Sequence, residues 1–130
     1  MIDYKQWLEN IYSSIDSIAD LPSQEEIWLG KSKKYVSDYG ETISDLYDSF
    51  CFGNDFWKEQ HLSNFNLKED LLIELKTLKR MIDIYDEKIQ ITKLKDEKIL
   101  KDPEWIFITK QATKIVEIWK ADNYPIPSYS

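Results

Sequence analysis

The sequence predicts an all-α protein: a four-helix bundle, antiparallel in its simplest form, with a broken second helix and a short extra helical turn near residues 55–62. Three observations carry that prediction. Only three Gly and four Pro punctuate 130 residues. Four segments repeat apolar side chains at steps of three and four, the spacing that lines one face of a helix. Capping residues stand at the start of each segment. An irregular five-helix arrangement is the nearest alternative. Residues 1–123 read as one helical domain and residues 124–130 as an extended tail.

The first helix spans about Asp3 to Ala19, with Tyr4, Leu8, Ile11, Ile15 and Ile18 on one face. Asp3 and Gln6 have the spacing of a capping box, in which each side chain answers an orphan backbone donor. Asp20-Leu21-Pro22 stops the helix.

The second helix is expected after Pro22, with Ser23 and Glu26 as its capping box. Its apolar positions are Ile27, Val36, Tyr39, Ile43, Leu46 and Phe50, with Tyr35 and Tyr47 beside them. Gly30 and the stretch Lys31–Lys34 interrupt it, giving a short helix and a longer one. Gly53 suits the C-terminal cap, where positive φ is required.

The third segment is the most regular. Asn66 and Glu69 form a variant capping box, and Leu71, Leu75, Leu78, Ile82, Tyr85 and Ile89 then alternate steps of four and three. Such a seam suits packing against another helix. From Gln90 to Leu100 the pattern decays into a Lys-rich connector. The fourth helix opens at Asp102-Pro103-Glu104, with a capping Asp, a Pro in the first position and an acid in the first turn. Ile108, Ala112, Ile115 and Trp119 form its stripe, and Asn123 and Pro125 end it.

Composition bounds the function. The chain is 42% hydrophobic and 14% aromatic, enough for a single core and too much for intrinsic disorder. Its formal net charge is −7. A protein that grips nucleic-acid phosphates carries the opposite sign, so no nucleic-acid partner is expected. The longest purely apolar run is Trp105-Ile106-Phe107-Ile108, so no membrane partner is expected either. The first residues lack a basic stretch followed by an apolar one, and the single Cys51 suits a reducing compartment. The expected location is the cytoplasm. Sixteen of the seventeen basic residues are Lys, a bias that points to an AT-rich, bacterial source.

The charge is unevenly placed. Residues 1–66 hold twelve acids and five bases, whereas residues 67–130 hold twelve of each. Between Tyr35 and Trp57 stand Asp38, Glu41, Asp45, Asp48 and Asp55 with no base. On a continuous helix Asp38, Glu41, Asp45 and Asp48 share an arc of roughly 80°, opposite the apolar stripe. Like charges at i, i+4 cost a few tenths of a kcal/mol each. A charged face is ordinarily a solvated one; a face kept free of Lys also suits a basic partner. Tyr35, Tyr47 and Trp57 flank the stripe, and side chains of these types anchor interfaces. Phe52, Phe56 and Trp57 read either as a lid over the end of the bundle or as part of that contact.

Catalytic chemistry finds little footing. The only His is His61, so the two Glu-x-x-His motifs of a di-iron site cannot be built. A Cys51–His61 nucleophilic pair would place the thiol at a helix C-terminus, where the dipole disfavours the thiolate. His61 is expected as a surface or capping residue. No two Gly lie close enough for a phosphate loop. No metal and no cofactor is expected.

The expected function is a non-catalytic, acidic binding protein, most concretely an immunity-type inhibitor that covers the basic surface of a toxin or other basic protein. Its partner-binding residues would be Asp38, Glu41, Asp45, Asp48, Tyr35, Tyr47, Asp55 and Trp57. The alternative is a structural or regulatory subunit, including a homo-oligomer, that associates by helix packing.

Overall fold

Asp3 opens helix α1 (Tyr4–Ala19), its side chain accepting from the Gln6 amide at 3.0 Å. The structure is a computed structural model and describes residues 3–50 and 55–128. Leu8, Ile11, Ile15 and Ile18 are buried along one face of α1, as their spacing requires.

Pro22 ends α1 and also starts the next helix. A proline ring clashes with a preceding turn but fits a first one. Helix α2 therefore begins early, at Leu21–Trp28. Its cap is Asp20 and not Ser23: Asp20 accepts from the Ser23 amide at 3.2 Å and from the Ser23 hydroxyl at 2.7 Å. The expected Ser23–Glu26 box does not form for that reason.

Gly30 then takes φ +74°. Its amide donates to Ile27 O at 3.2 Å and the Lys31 amide to Glu26 O at 2.9 Å. That pair of bonds is the Schellman ending, which needs a residue at ease in the left-handed region. Ser32 Oγ next accepts from the amides of Lys34 and Tyr35, an arrangement that competes with helical pairing. Residues 29–38 are thus not helical. Val36, expected on the apolar stripe, is 93% exposed, and Tyr35 is exposed as well. The chain re-enters a helix at α3 (Tyr39–Ser49), capped by Asp38, whose carboxylate accepts from the Glu41 amide at 2.8 Å.

The extra helical element near residue 55 is present as a 3₁₀ turn, Asp55–Trp57, and a helix α4, Glu59–Phe65. Asn66, at φ 55°, terminates α4 and does not cap the helix that follows. That helix, α5 (Glu69–Thr92), has Lys68 at its cap position with no side-chain bond, and Glu69 and Asp70 complement its N-terminal dipole. Lys93, again left-handed, ends it. The connector is more ordered than its decayed pattern suggests: it holds a single turn, α6 (Asp96–Ile99), and buries Ile99 and Leu100 in the core. Helix α7 (Pro103–Ala121) starts as expected, with the Asp102 carboxylate accepting from the Glu104 amide at 3.0 Å.

Helix α1 lies against α7, α3 and α4; α5 lies against α7; and α2 bridges α1 and α6. All six seam residues of α5, from Leu71 to Ile89, are buried inside the chain's own core. Trp105 on α7 is fully buried, with Trp28, Tyr39 and Tyr85 at 5.7, 5.5 and 5.7 Å. The described part of the tail docks on the helices. Trp119 Nε1 donates to Pro125 O at 2.9 Å, and Tyr124 Oη accepts from the Lys68 amide at 2.9 Å. Among the described residues there is no strand, and no helix is long and apolar enough to cross a membrane.

Candidate functional site

Small residues bring α1 and α3 together. The Ser14 and Ser49 hydroxyls hydrogen-bond to each other across the crossing. Ser49 Oγ also donates to Asp45 O at 2.9 Å, and Trp7 Nε1 donates to Ser49 O at 2.6 Å. A larger side chain at either serine would force the helices apart. On the α2 side, the buried Gln24 amide donates to Ser17 O and Ile18 O, both at 2.8 Å. These are carbonyls of the last turn of α1, which lack helical partners. Gln24 Oε1 in turn accepts from Trp105 Nε1 at 2.9 Å, tying α2 to α7. Trp28 Nε1 donates to Thr42 Oγ1 at 3.2 Å and fixes α2 against α3.

Above this crossing runs a groove of about 760 Å³, walled by α1, α2, α3 and the segment 35–37. Asp16 and Asp20 line one side, Glu41, Asp45 and Asp48 the other, with serines between them. No Lys, Arg or His lines it. Burial, reinforced by the charge of Asp20, pushes the Asp16 carboxyl above its ordinary range, and Lys120 offsets this in part. Asp16 and Asp20 therefore repel each other, and a cation placed beside them relieves that repulsion. Among the described residues no group of three or more acidic, His or Cys side chains is arranged to hold a metal ion.

Four of the eight sequence-predicted partner-binding residues meet here: Tyr35, Glu41, Asp45 and Asp48. Asp38 precedes the helix and is occupied as its cap. Tyr47 turns away from the groove and donates to Asp83 on α5 at 2.6 Å. Trp57 packs inward, stacked on Phe50 at 5.7 Å and edge-on to the fully buried Phe56 at 4.7 Å. Its indole N–H is buried without an acceptor among the described residues. The side chain of Asp55 lies outside the described residues, as do Cys51, Phe52 and Gly53 with the cap and nucleophile readings attached to them.

His61 departs from its expected surface position. It is buried, its Nδ1 is 3.1 Å from Tyr4 Oη, and its ring lies 5.2 Å from that of Trp7. Asp16 and Asp20 were not among the predicted residues. Their i, i+4 spacing beside Ser13 and Ser17 marks a polar face on the last turns of the first helix, but nothing local says which helix that face meets.

No family model matches this chain, and neither the curated proteins nor the solved structures yield a match.

Proposed function

We propose that this chain is a non-catalytic acidic binding protein of the immunity type. It acts in a bacterial cytoplasm, where it covers the basic surface of a protein partner, most concretely a toxin, by admitting Lys or Arg side chains into the α1–α3 groove. We read α1, α3, α5 and α7, its four longest helices, as a four-helix bundle that holds the groove rigid. The observation that supports this reading is the meeting of Asp16, Asp20, Glu41, Asp45 and Asp48 around one concave surface with no base in its lining. Electrostatic complementarity of this kind raises association rates and selects the sign of the partner. Tyr35, exposed at the rim, supplies an aromatic contact of low entropic cost.

The test is fluorescence anisotropy with a labelled oligo-arginine peptide as the probe. The native chain should bind it, and affinity should fall steeply as salt rises. Asp45→Lys with Asp48→Lys should abolish binding, whereas Glu69→Lys with Asp70→Lys, equal in charge change but outside the groove, should preserve most of it. Equal loss in the two variants would reduce the effect to net charge and defeat the proposal.

A further inference from the structure

Helix α5 carries a second stripe on the side away from its buried seam. Ile73, Thr77, Arg80, Ile84, Glu87 and Ile91 follow steps of four and three, and all six are exposed. The three isoleucines are 52%, 60% and 77% exposed. β-Branched side chains gain nothing for an isolated helix, and three of them in a solvent-facing line leave an apolar face unpaid for by burial. Beside Ile84 lies an apolar hollow of about 500 Å³ that includes Met81, Pro103 and Phe107, the last 66% exposed.

We propose that this face is where two copies of the chain associate, α5 against α5, antiparallel about a two-fold axis. The order of the stripe points to a second copy as the occupant. Run against itself in reverse, it sets Ile73 opposite Ile91, Thr77 opposite Glu87 and Arg80 opposite Ile84. An isologous contact makes each of these pairs twice. The alternation of four and three is the spacing at which helices interdigitate over a length of about 27 Å.

The charges agree with the apolar residues. Neither Arg80 nor Glu87 has an ion pair or a side-chain hydrogen bond among the described residues, although Lys79 and Lys88 beside them are both paired. In the antiparallel register the Arg80 stem covers Ile84 of the second copy. Its guanidinium then lies within about 5 Å, along the axis, of Glu87 one layer on. Arg80 is also the only arginine among seventeen basic residues, and arginine suits interface ion pairs better than lysine. None of the six residues lines the acidic groove, so a dimer leaves both grooves open.

Analytical ultracentrifugation of the intact chain over a range of concentrations tests this. The native chain should be dimeric at about 100 μM, a concentration that populates even a ~10 μM association. Ile84→Lys with Ile91→Lys should give a monomer with unchanged circular dichroism, since both sites are exposed. Arg80→Glu should weaken the dimer about tenfold, and adding Glu87→Arg to it should restore the dimer. A native chain that is monomeric at that concentration, or a dimer indifferent to the α5 variants, overturns the proposal. So does a dimer that Asp45→Lys dissolves, because it would run through the groove. The α5 variants should leave binding of the oligo-arginine probe unchanged, because none of their positions lines the groove.

Discussion

Tyr47 Oη donates to one oxygen of Asp83 at 2.6 Å, while Lys79 Nζ holds the other oxygen of the same carboxylate at 2.7 Å. Tyr39 repeats the device one end over, donating to Asp86 at 2.9 Å. Both phenols are pushed above their ordinary range by burial and by these carboxylates, so they stay protonated and act as donors. Two residues of α3 thus anchor the wall of the groove from behind, onto α5.

Removing the Tyr47 hydroxyl tests how much that anchor carries. Tyr47→Phe keeps the ring and leaves Asp83 with Lys79. The loss of one hydrogen bond to a charged group should cost about 1–2 kcal/mol in urea unfolding. The oligo-arginine probe should bind the folded variant nearly as well as the native chain, because Tyr47 does not line the groove. A large loss of binding would show that Tyr47 is a contact residue after all.

Asp102 should impose an acid limit on stability. Burial pushes its carboxyl up, but the Glu104 amide, the Tyr85 hydroxyl and the Lys88 ammonium together outweigh burial and hold it below its usual value. A depressed carboxylate stabilises the fold above its unfolded pKa of about 3.9, and that contribution fades as pH falls through the lower, folded value. Asp102→Asn should therefore flatten the loss of stability below about pH 4. At neutral pH it should lower stability by about 1 kcal/mol through weaker bonds to the Lys88 ammonium and the Tyr85 hydroxyl, since Asn caps a helix about as well as Asp. Thermal melts across pH check both signs.

Asp16 should behave in the opposite way. Its folded pKa is raised, chiefly by burial and then by Asp20. Its contribution to stability is full below the unfolded pKa and is lost as pH rises through the folded one. Asp16→Asn should accordingly raise the melting temperature at pH 7 and leave it unchanged in acid. Solvent screening at this partly exposed site keeps the gain to a few tenths of a kcal/mol. The same substitution should weaken the oligo-arginine probe, which would mark a residue kept for binding at the expense of stability.

The helices themselves were legible wherever one apolar stripe met one core. The spacing of Leu71, Leu75, Leu78, Ile82, Tyr85 and Ile89 predicts a buried face, and all six are buried. Asp3 and Asp102 cap the helices they stand before. The errors fall where local signals compete. Ser23 follows a capping pattern, but Asp20 stands three residues earlier, at the point where Pro22 allows a helix to begin. Asn66 suits an N-cap by type, but its tolerance of positive φ makes it the end of α4. Val36 fits an apolar period only on a helix that the left-handed Gly30 has already ended.

The site divides along the same line. By itself the sequence determined an all-helical chain, its net charge of −7, the confinement of that excess to residues 1–66, and the carboxylates Glu41, Asp45 and Asp48 on one helical face. Those depend on periodicity and composition, which are local. Only the tertiary structure decided that α1 supplies Asp16 and Asp20 across from them, through the Ser14–Ser49 crossing. Only it turned Tyr47 and Trp57 inward, and only it left the outer isoleucines of α5 uncovered while burying the seam. Which face of a helix meets which neighbour is set by the shape and hydrogen bonding of side chains far apart in the chain, and no single segment records it.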